Sequence, residues 1–153
     1  MKKNENPAAD GYSISTDPAL LNLEMIHHYL SADSYWAQHI PADLLAKAIA
    51  NSICFGVYLK EDQVGFARIV TDKASFAYLC DVFILPDHRG KGLSLRLMQA
   101  VHAHPELQGL RRWMLVTRDA HGLYSQFGWK TVPEELAGNI MQIHDPEIYR
   151  RKG

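Results

Sequence analysis

The stretch Phe76 to Leu85 constrains the fold of this chain more than any other. Its ten residues are almost continuously apolar, the pattern of a central strand buried on both faces, and they carry one charge, Asp81. Pro86 stops the strand, Asp87 to Gly92 is a polar connection bearing glycines, and Leu93, Leu97, Ala100 and Val101 then recur at helical spacing as far as His104-Pro105. A helix that starts just after a buried strand offers unpaired N–H groups and the positive end of its dipole. Glycines in the turn let phosphate oxygens approach the backbone, so the unit reads as an anion site.

The flanking sequence supplies a sheet and its cover. Tyr12 to Ser15 is a short first strand, and Asp17-Pro18 is a helix start followed by Leu20, Leu23, Ile26 and Leu30 at helical spacing, a stripe expected to pack on the sheet. Ser31 to Ile40 is polar with Tyr35 and Trp36 inserted, and Pro41 opens a second helix carrying Leu44, Leu45, Ala48 and Ile49. From Ser52 the period changes to 2, and Ile53 to Leu59 and Val64 to Val70 read as an antiparallel hairpin turned at Lys60 to Gln63. Downstream, Trp113 to Thr117 reads as a strand and Ala120 to Phe127 as a short helix capped by Asp119 and closed by Gly128. Trp129 to Val132 and Ile140 to His144 are expected as the last two strands.

Composition narrows the function classes. With 153 residues, 47% hydrophobic and 22% charged, the chain suits one globular domain over 11–153 behind a loose polar arm over 1–10. A net charge of -1 speaks against non-specific nucleic-acid binding. No run approaches the ~20 apolar residues of a membrane span. Met1 to Asp10 lacks the apolar core of a signal peptide. Cys54 and Cys80 fall inside strands without metal-ligand spacing, and His102-x-His104 alone makes no metal site, so no metal is expected and a reduced, cytoplasmic setting fits.

Two nucleotide motifs fail here. The Walker pattern needs Lys and then Ser or Thr after its last glycine, whereas Lys91 precedes Gly92 and Leu93 follows it. The dinucleotide fingerprint needs a third glycine where Leu95 stands. Arg89-Gly90-Lys91-Gly92-Leu93-Ser94 instead resembles the acetyl-CoA signature of the GNAT superfamily of N-acetyltransferases, Arg/Gln-x-x-Gly-x-Gly/Ala, with Ser94 departing from its last position. Ile84-Leu85-Pro86 upstream, Tyr124 followed by Gly128-Trp129 downstream, and the order of elements are similar to that family as well.

The resemblance implies an α/β (α+β) fold with a mostly antiparallel mixed sheet of about six to seven strands and about four helices. It implies acetyl-CoA as co-substrate, with Val82, Phe83 and Ile84 along the pantetheine arm and Arg89, Gly90, Lys91, Gly92, Leu93, Ser94 and Leu95 at the pyrophosphate. Thr117 stands where many members carry a cofactor-touching asparagine. Tyr124 matches the frequent general acid, with a packing residue beside Phe127 as the alternative. Asp81 is either a base for the acceptor amine or a structural partner of Arg68; His27, His28 and His121 are further candidates for the base. Tyr35, Trp36 and Arg68 are expected to shape the acceptor pocket.

The activity so implied is direct acetyl transfer to a small amine. A non-catalytic acyl-CoA sensor and a peptide or protein N-terminal acetyltransferase are the alternatives. Oligomeric state stays open, with a homodimer among the options.

Overall fold

The computed structural model describes residues 8–152. Most of the arm expected over 1–10 lies outside them, but its last residue is anchored: the Asp10 carboxylate accepts the Tyr12 N–H at 3.1 Å and pairs with Arg96 at 3.0 Å. The sheet has five strands in the order β1 (Tyr12–Ser15), β2 (Ile53–Leu59), β3 (Asp62–Thr71), β4 (Phe76–Ile84) and β5 (Arg112–Met114). The first four are joined antiparallel, and β5 lies parallel to β4.

Period-2 alternation sends the side chains of each strand to two separate cores. Phe55, Val57, Ala67, Ile69 and Leu79 pack beneath α3 (Leu93–Ala103), which contributes Leu97, Met98 and Val101. Cys54, Phe66 and Phe83 pack on the other face against Ile26 and Leu30 of the first helical segment and Leu45 and Ile49 of α2 (Ala42–Ala50). The central strand is therefore covered on both sides, as its composition requires.

Several expectations are corrected. Asp17 does cap a start, accepting the Ala19 N–H at 2.9 Å, yet only a 3-10 turn follows. The α-helix, α1 (Leu23–His28), is nucleated by Asn22, whose side chain accepts the Met25 N–H at 3.0 Å, and it runs into a π-helical turn over Tyr29–Asp33. Leu20 and Leu23, ahead of the packed part, are exposed, while Ile26 and Leu30 are fully buried.

Five strands stand in place of six to seven, because Trp129 to Val132 and Ile140 to His144 join no ladder among the described residues. Short helical segments, α4 (His121–Ser125), α5 (Glu134–Ala137) and α6 (Ile148–Lys152), punctuate this last third. The start of α4 is held by the Thr117 hydroxyl, which accepts the Ala120 N–H at 3.0 Å, and not by Asp119. Gly128 has the left-handed φ of 89° expected after a helix end.

Leu97, on the sheet-facing side of α3, is fully buried in the larger core. Leu97→Ala should lower unfolding free energy by about 2–5 kcal/mol, read from urea denaturation midpoints at unchanged slope. A loss below ~1 kcal/mol would show that α3 does not clamp the sheet.

Candidate acyl-CoA and acceptor site

The site begins where the sheet comes apart. β4 and β5 pair only through Phe76–Arg112, Ala77–Trp113 and Tyr78–Met114; beyond Tyr78 the β5 side of β4 has no partner strand among the described residues. At the same place β4 bulges against β3: Cys80 opposes Arg68 and Phe83 opposes Phe66, so Asp81 and Val82 together face Ala67. Asp81 has a left-handed φ of 56°, which is unfavourable for a residue with a Cβ. The extra residue reverses the alternation, so Leu79 and Phe83, expected on one face, lie in opposite cores.

Asp81 is held firmly. Its Oδ2 accepts from Arg68 Nε at 2.8 Å and its Oδ1 from Trp36 Nε1 at 3.0 Å, while Arg68 also donates to Ser52 Oγ at 3.1 Å. Burial pulls the Arg68 pKa down, but Asp81, together with the neighbouring Cys80 and Cys54, more than offsets it and the net shift is upward. The alternative in which Asp81 partners Arg68 is thus the arrangement present. Trp36 reaches across from the loop after α1, so one carboxylate ties that loop to the bulge and to β3.

At the end of β4 the chain turns through Gly90 and Gly92, with left-handed φ of 78° and 74°. A Cβ built on either glycine would meet nothing within 4 Å, so the loop surface is open. Arg96 is the first residue of α3 to donate back, to Gly92 O at 3.2 Å, and the N–H groups of Leu93, Ser94 and Leu95 have no backbone acceptor among the described residues. Leu93 itself is buried in the core and pins the helix start. Lys91 is exposed beside this row of donors. Arg89 is turned the other way: Nε donates to Ile84 O at 2.9 Å and a terminal nitrogen to Tyr29 Oη at 3.1 Å. Its side chain braces the turn against β4 and against the π-helical turn that follows α1.

Tyr124, on α4, is buried against the α3-side core, yet its hydroxyl has no hydrogen-bond partner among the described residues. Burial first, then the neighbouring Tyr35 and Asp119, push its pKa up to about 12, which keeps the phenol protonated at neutral pH. Tyr35 stands edge-on to Trp36 at 5.0 Å and lies under the Arg118 guanidinium, 3.7 Å from the ring centre; Arg118 also donates its backbone N–H to Tyr35 Oη at 3.2 Å. The aromatic loop is thereby clasped to the loop that follows β5.

The structure brings Asp81, Arg68, Trp36 and Tyr35 into one connected group, and places Val82 to Leu95 along one edge leading to α3. The Thr117 hydroxyl is engaged in capping. His27 is engaged with Ile40 O at 2.8 Å, and His28 is exposed near Asp33. Sequence reading missed Tyr29, which stacks on Phe83 at 4.0 Å, and Arg118; neither belongs to a local pattern, since each acts on a residue at least 54 positions away. It weighed His102 only as a metal ligand, whereas its Nε2 accepts from Trp129 Nε1 at 3.0 Å inside a cluster with Trp113 and Phe127.

The acetyltransferase (GNAT) domain family matches residues 50–131. A protein of Gibberella zeae named as a putative acetyltransferase is 39% identical over 148 residues, with 82% of each chain covered. The crystal structure of a GNAT-family protein from Xanthomonas campestris pv. campestris, also named as a putative acetyltransferase, superposes with a TM-score of 0.86 at 49% identity, covering 90% of this chain and 96% of that one. A GNAT acetyltransferase from Elizabethkingia anophelis with acetyl-CoA bound has a TM-score of 0.60 at 11% identity over 81% and 79% of the two chains, a likeness of fold.

Burial lowers the His102 pKa below its ordinary 6.5, and the ring is held as the acceptor of the Trp129 bond. On acidification the unfolded chain takes up this proton first, so stability falls as pH drops below 6.5 and levels off once pH passes the folded-state value. His102→Gln should flatten that part of a Tm-against-pH curve. An identical slope in both proteins would exclude His102 as the titrating group.

Proposed function

This chain belongs to the GNAT family of acetyltransferases and is an acyltransferase, and on that premise we propose that it transfers acetyl from acetyl-CoA directly to a small amine. The observation that carries the proposal is the continuity of an unpaired strand edge, β4 from Leu79 to Ile84, with the unpaired N–H groups of Leu93, Ser94 and Leu95. An extended amide-bearing arm pairs with the former as an added strand would, and a pyrophosphate suits the latter. The open surface over Gly90 and Gly92 leaves room for phosphate oxygens.

In this reading Val82, Phe83 and Ile84 line the arm, and Gly90 to Leu95 hold the phosphates with Lys91 alongside. The acyl group lies at the bulge, where a backbone N–H near Phe83 polarises the thioester oxygen. The acceptor enters as the neutral amine on the side of Tyr35, Trp36 and Arg68; its nitrogen attacks the acyl carbon as the bond to sulfur breaks, and the proton the nitrogen sheds passes to solvent water. Tyr124 stands on the leaving-group side. A thiol of ordinary pKa ~8.5 leaves readily, and a phenol near 12 need only donate a hydrogen bond or a proton to the departing thiolate. Asp81 acts by positioning Trp36 and Arg68, whose aromatic and cationic surfaces border the acceptor. The clasp between Tyr35 and Arg118 narrows that side, which favours a small acceptor over a long peptide. Cys54 and Cys80 lie on strands separated by β3 and form no disulfide with each other, which fits a reducing cytoplasm.

Isothermal titration should give saturable 1:1 binding of acetyl-CoA, and no heat at ~1 mM ligand would refute the proposal. With an acceptor found by CoA release over a panel of small amines, Tyr124→Phe should lower kcat by about 10- to 100-fold while acetyl-CoA affinity stays within about twofold. Unchanged kcat would remove Tyr124 from the chemistry. Binding without CoA release on any amine would favour the sensor reading.

A further inference from the structure

We propose that the acceptor is an amino acid whose carboxylate is held by Arg68 beside the bulge at Asp81, an assignment that rests on the acetyl-transfer reading above and gives it an acceptor class. Arg68 stands inside β3, opposite Cys80 of β4, with only 18% of its side chain exposed. A charge so far withdrawn from water needs partners for its donors. Of the five N–H groups of a guanidinium, Nε uses one on Asp81 Oδ2 and Nη1 uses one on Ser52 Oγ. Nη2 makes no hydrogen bond to a described residue. Tyr58 Oη is the one buried side-chain nitrogen or oxygen without a partner among those residues, so Nη2 is reached by solvent.

The pairing with Asp81 explains why this donor is spare. Guanidinium and carboxylate meet most strongly as a fork of two parallel N–H···O bonds. Asp81 fills only half of it, because its Oδ1 faces Trp36 Nε1 at 3.0 Å. Trp36 thus holds Asp81 to a single bond, and Nη2 keeps both its protons for a second carboxylate. A pair built only to brace the strand would close the fork and leave Arg68 nothing to offer.

Location makes the spare donor a binding group. The acyl group lies at the bulge in the proposed site, and Arg68 Nε is 2.8 Å from the carboxylate of Asp81 there. An acceptor carboxylate received at Nη2 leaves an amine a few bonds away near the acyl carbon, which is the spacing within an amino acid. The rest of the group agrees. Asp81 is already matched by a guanidinium, so a second ammonium on the acceptor finds no free anion among Asp81, Arg68, Trp36 and Tyr35, and a polyamine fits poorly. The guanidinium also disfavours a charged ammonium beside it, which suits an amine that attacks in its neutral form. Trp36 and Tyr35, 40% and 43% exposed, offer ring surface to the amino acid's side chain. The bond changes are those of the transfer already described, carbon–nitrogen formed and carbon–sulfur broken, and the product is an N-acetyl amino acid.

Over a panel of α-amino acids, each with its carboxamide and its decarboxylated amine, CoA release should give a kcat/KM about 10- to 100-fold higher for the acid of the best set. Amides or plain amines that match their acids in every set would overturn the proposal while leaving acetyl transfer to amines intact. Arg68→Lys keeps a cation for Asp81 but loses the planar fork, so the ratio of acid to amide should shrink about 10-fold. A merely structural role would lower both rates together and preserve the ratio, which would also overturn the proposal. Binding is read apart from turnover. In the complex with CoA, the 15N-labelled Nε–H resonance of Arg68, assigned by its loss in Arg68→Lys, should shift on addition of the acid and stay in place with the amide. An unmoved resonance at ~10 mM of every acid would overturn the carboxylate site whatever the turnover. A shift without CoA release from any acceptor would support the carboxylate site and refute acetyl transfer.

Discussion

The separation of β4 from β5 after three residue pairs is the constraint on which the rest of this structure depends. Parallel strands inside a sheet normally continue to pair, because an unmatched backbone group away from water is costly. Here a bulge redirects β4 at the point where pairing ends, and it does so by placing Asp81, a residue with a Cβ, in left-handed conformation. Such a conformation is unfavourable by roughly 1–2 kcal/mol and persists only if its surroundings hold it. Arg68 and Trp36 provide that hold through both carboxylate oxygens. The same contacts carry the aromatic loop to the opening, so the device that opens the sheet also builds one wall of the site.

The second wall follows from how α3 is attached. Leu93 is buried in its first turn, and Arg89 spans from Ile84 O to Tyr29 Oη, so the turn between them is fixed at both ends while its glycines remain exposed. Tyr29 in turn stacks on Phe83, which links this brace to the strand that the bulge displaces. A helix N-terminus is a weak anion site when it can fray. This one is anchored on the two elements it joins, which keeps the strand edge and the row of N–H groups in register, as the proposed acetyl-CoA site requires.

Much of this was legible in the sequence, for local reasons. β1 to β4 follow from alternation, the strand end from Pro86, and the open turn before α3 from glycines between a buried strand and a helical stripe, all features that neighbouring residues determine. The bulge at Asp81 was visible only as a charge in an apolar run; its reversal of faces depends on pairing with β3, which alternation cannot report. The brace at Arg89, the clasp at Arg118 and the acceptor role of His102 each join residues far apart in sequence. Ile140 to His144 reads as a strand because its composition suits a ladder, yet no strand among the described residues pairs with it, and pairing depends on contacts that composition does not report. Leu20 and Leu23 followed the helical period, but the α-helix starts only at Asn22 and the side chains ahead of the packed turns stay in water.

The central claim is that one ligand lies along the free edge of β4 and ends on the first turn of α3. Titrating acetyl-CoA into 15N-labelled protein and following backbone amide resonances tests it directly. The account predicts the largest shifts at 82–84 and at 90–95, saturating together with one dissociation constant. Saturating shifts confined to other surfaces, with both of these segments unmoved, would contradict it.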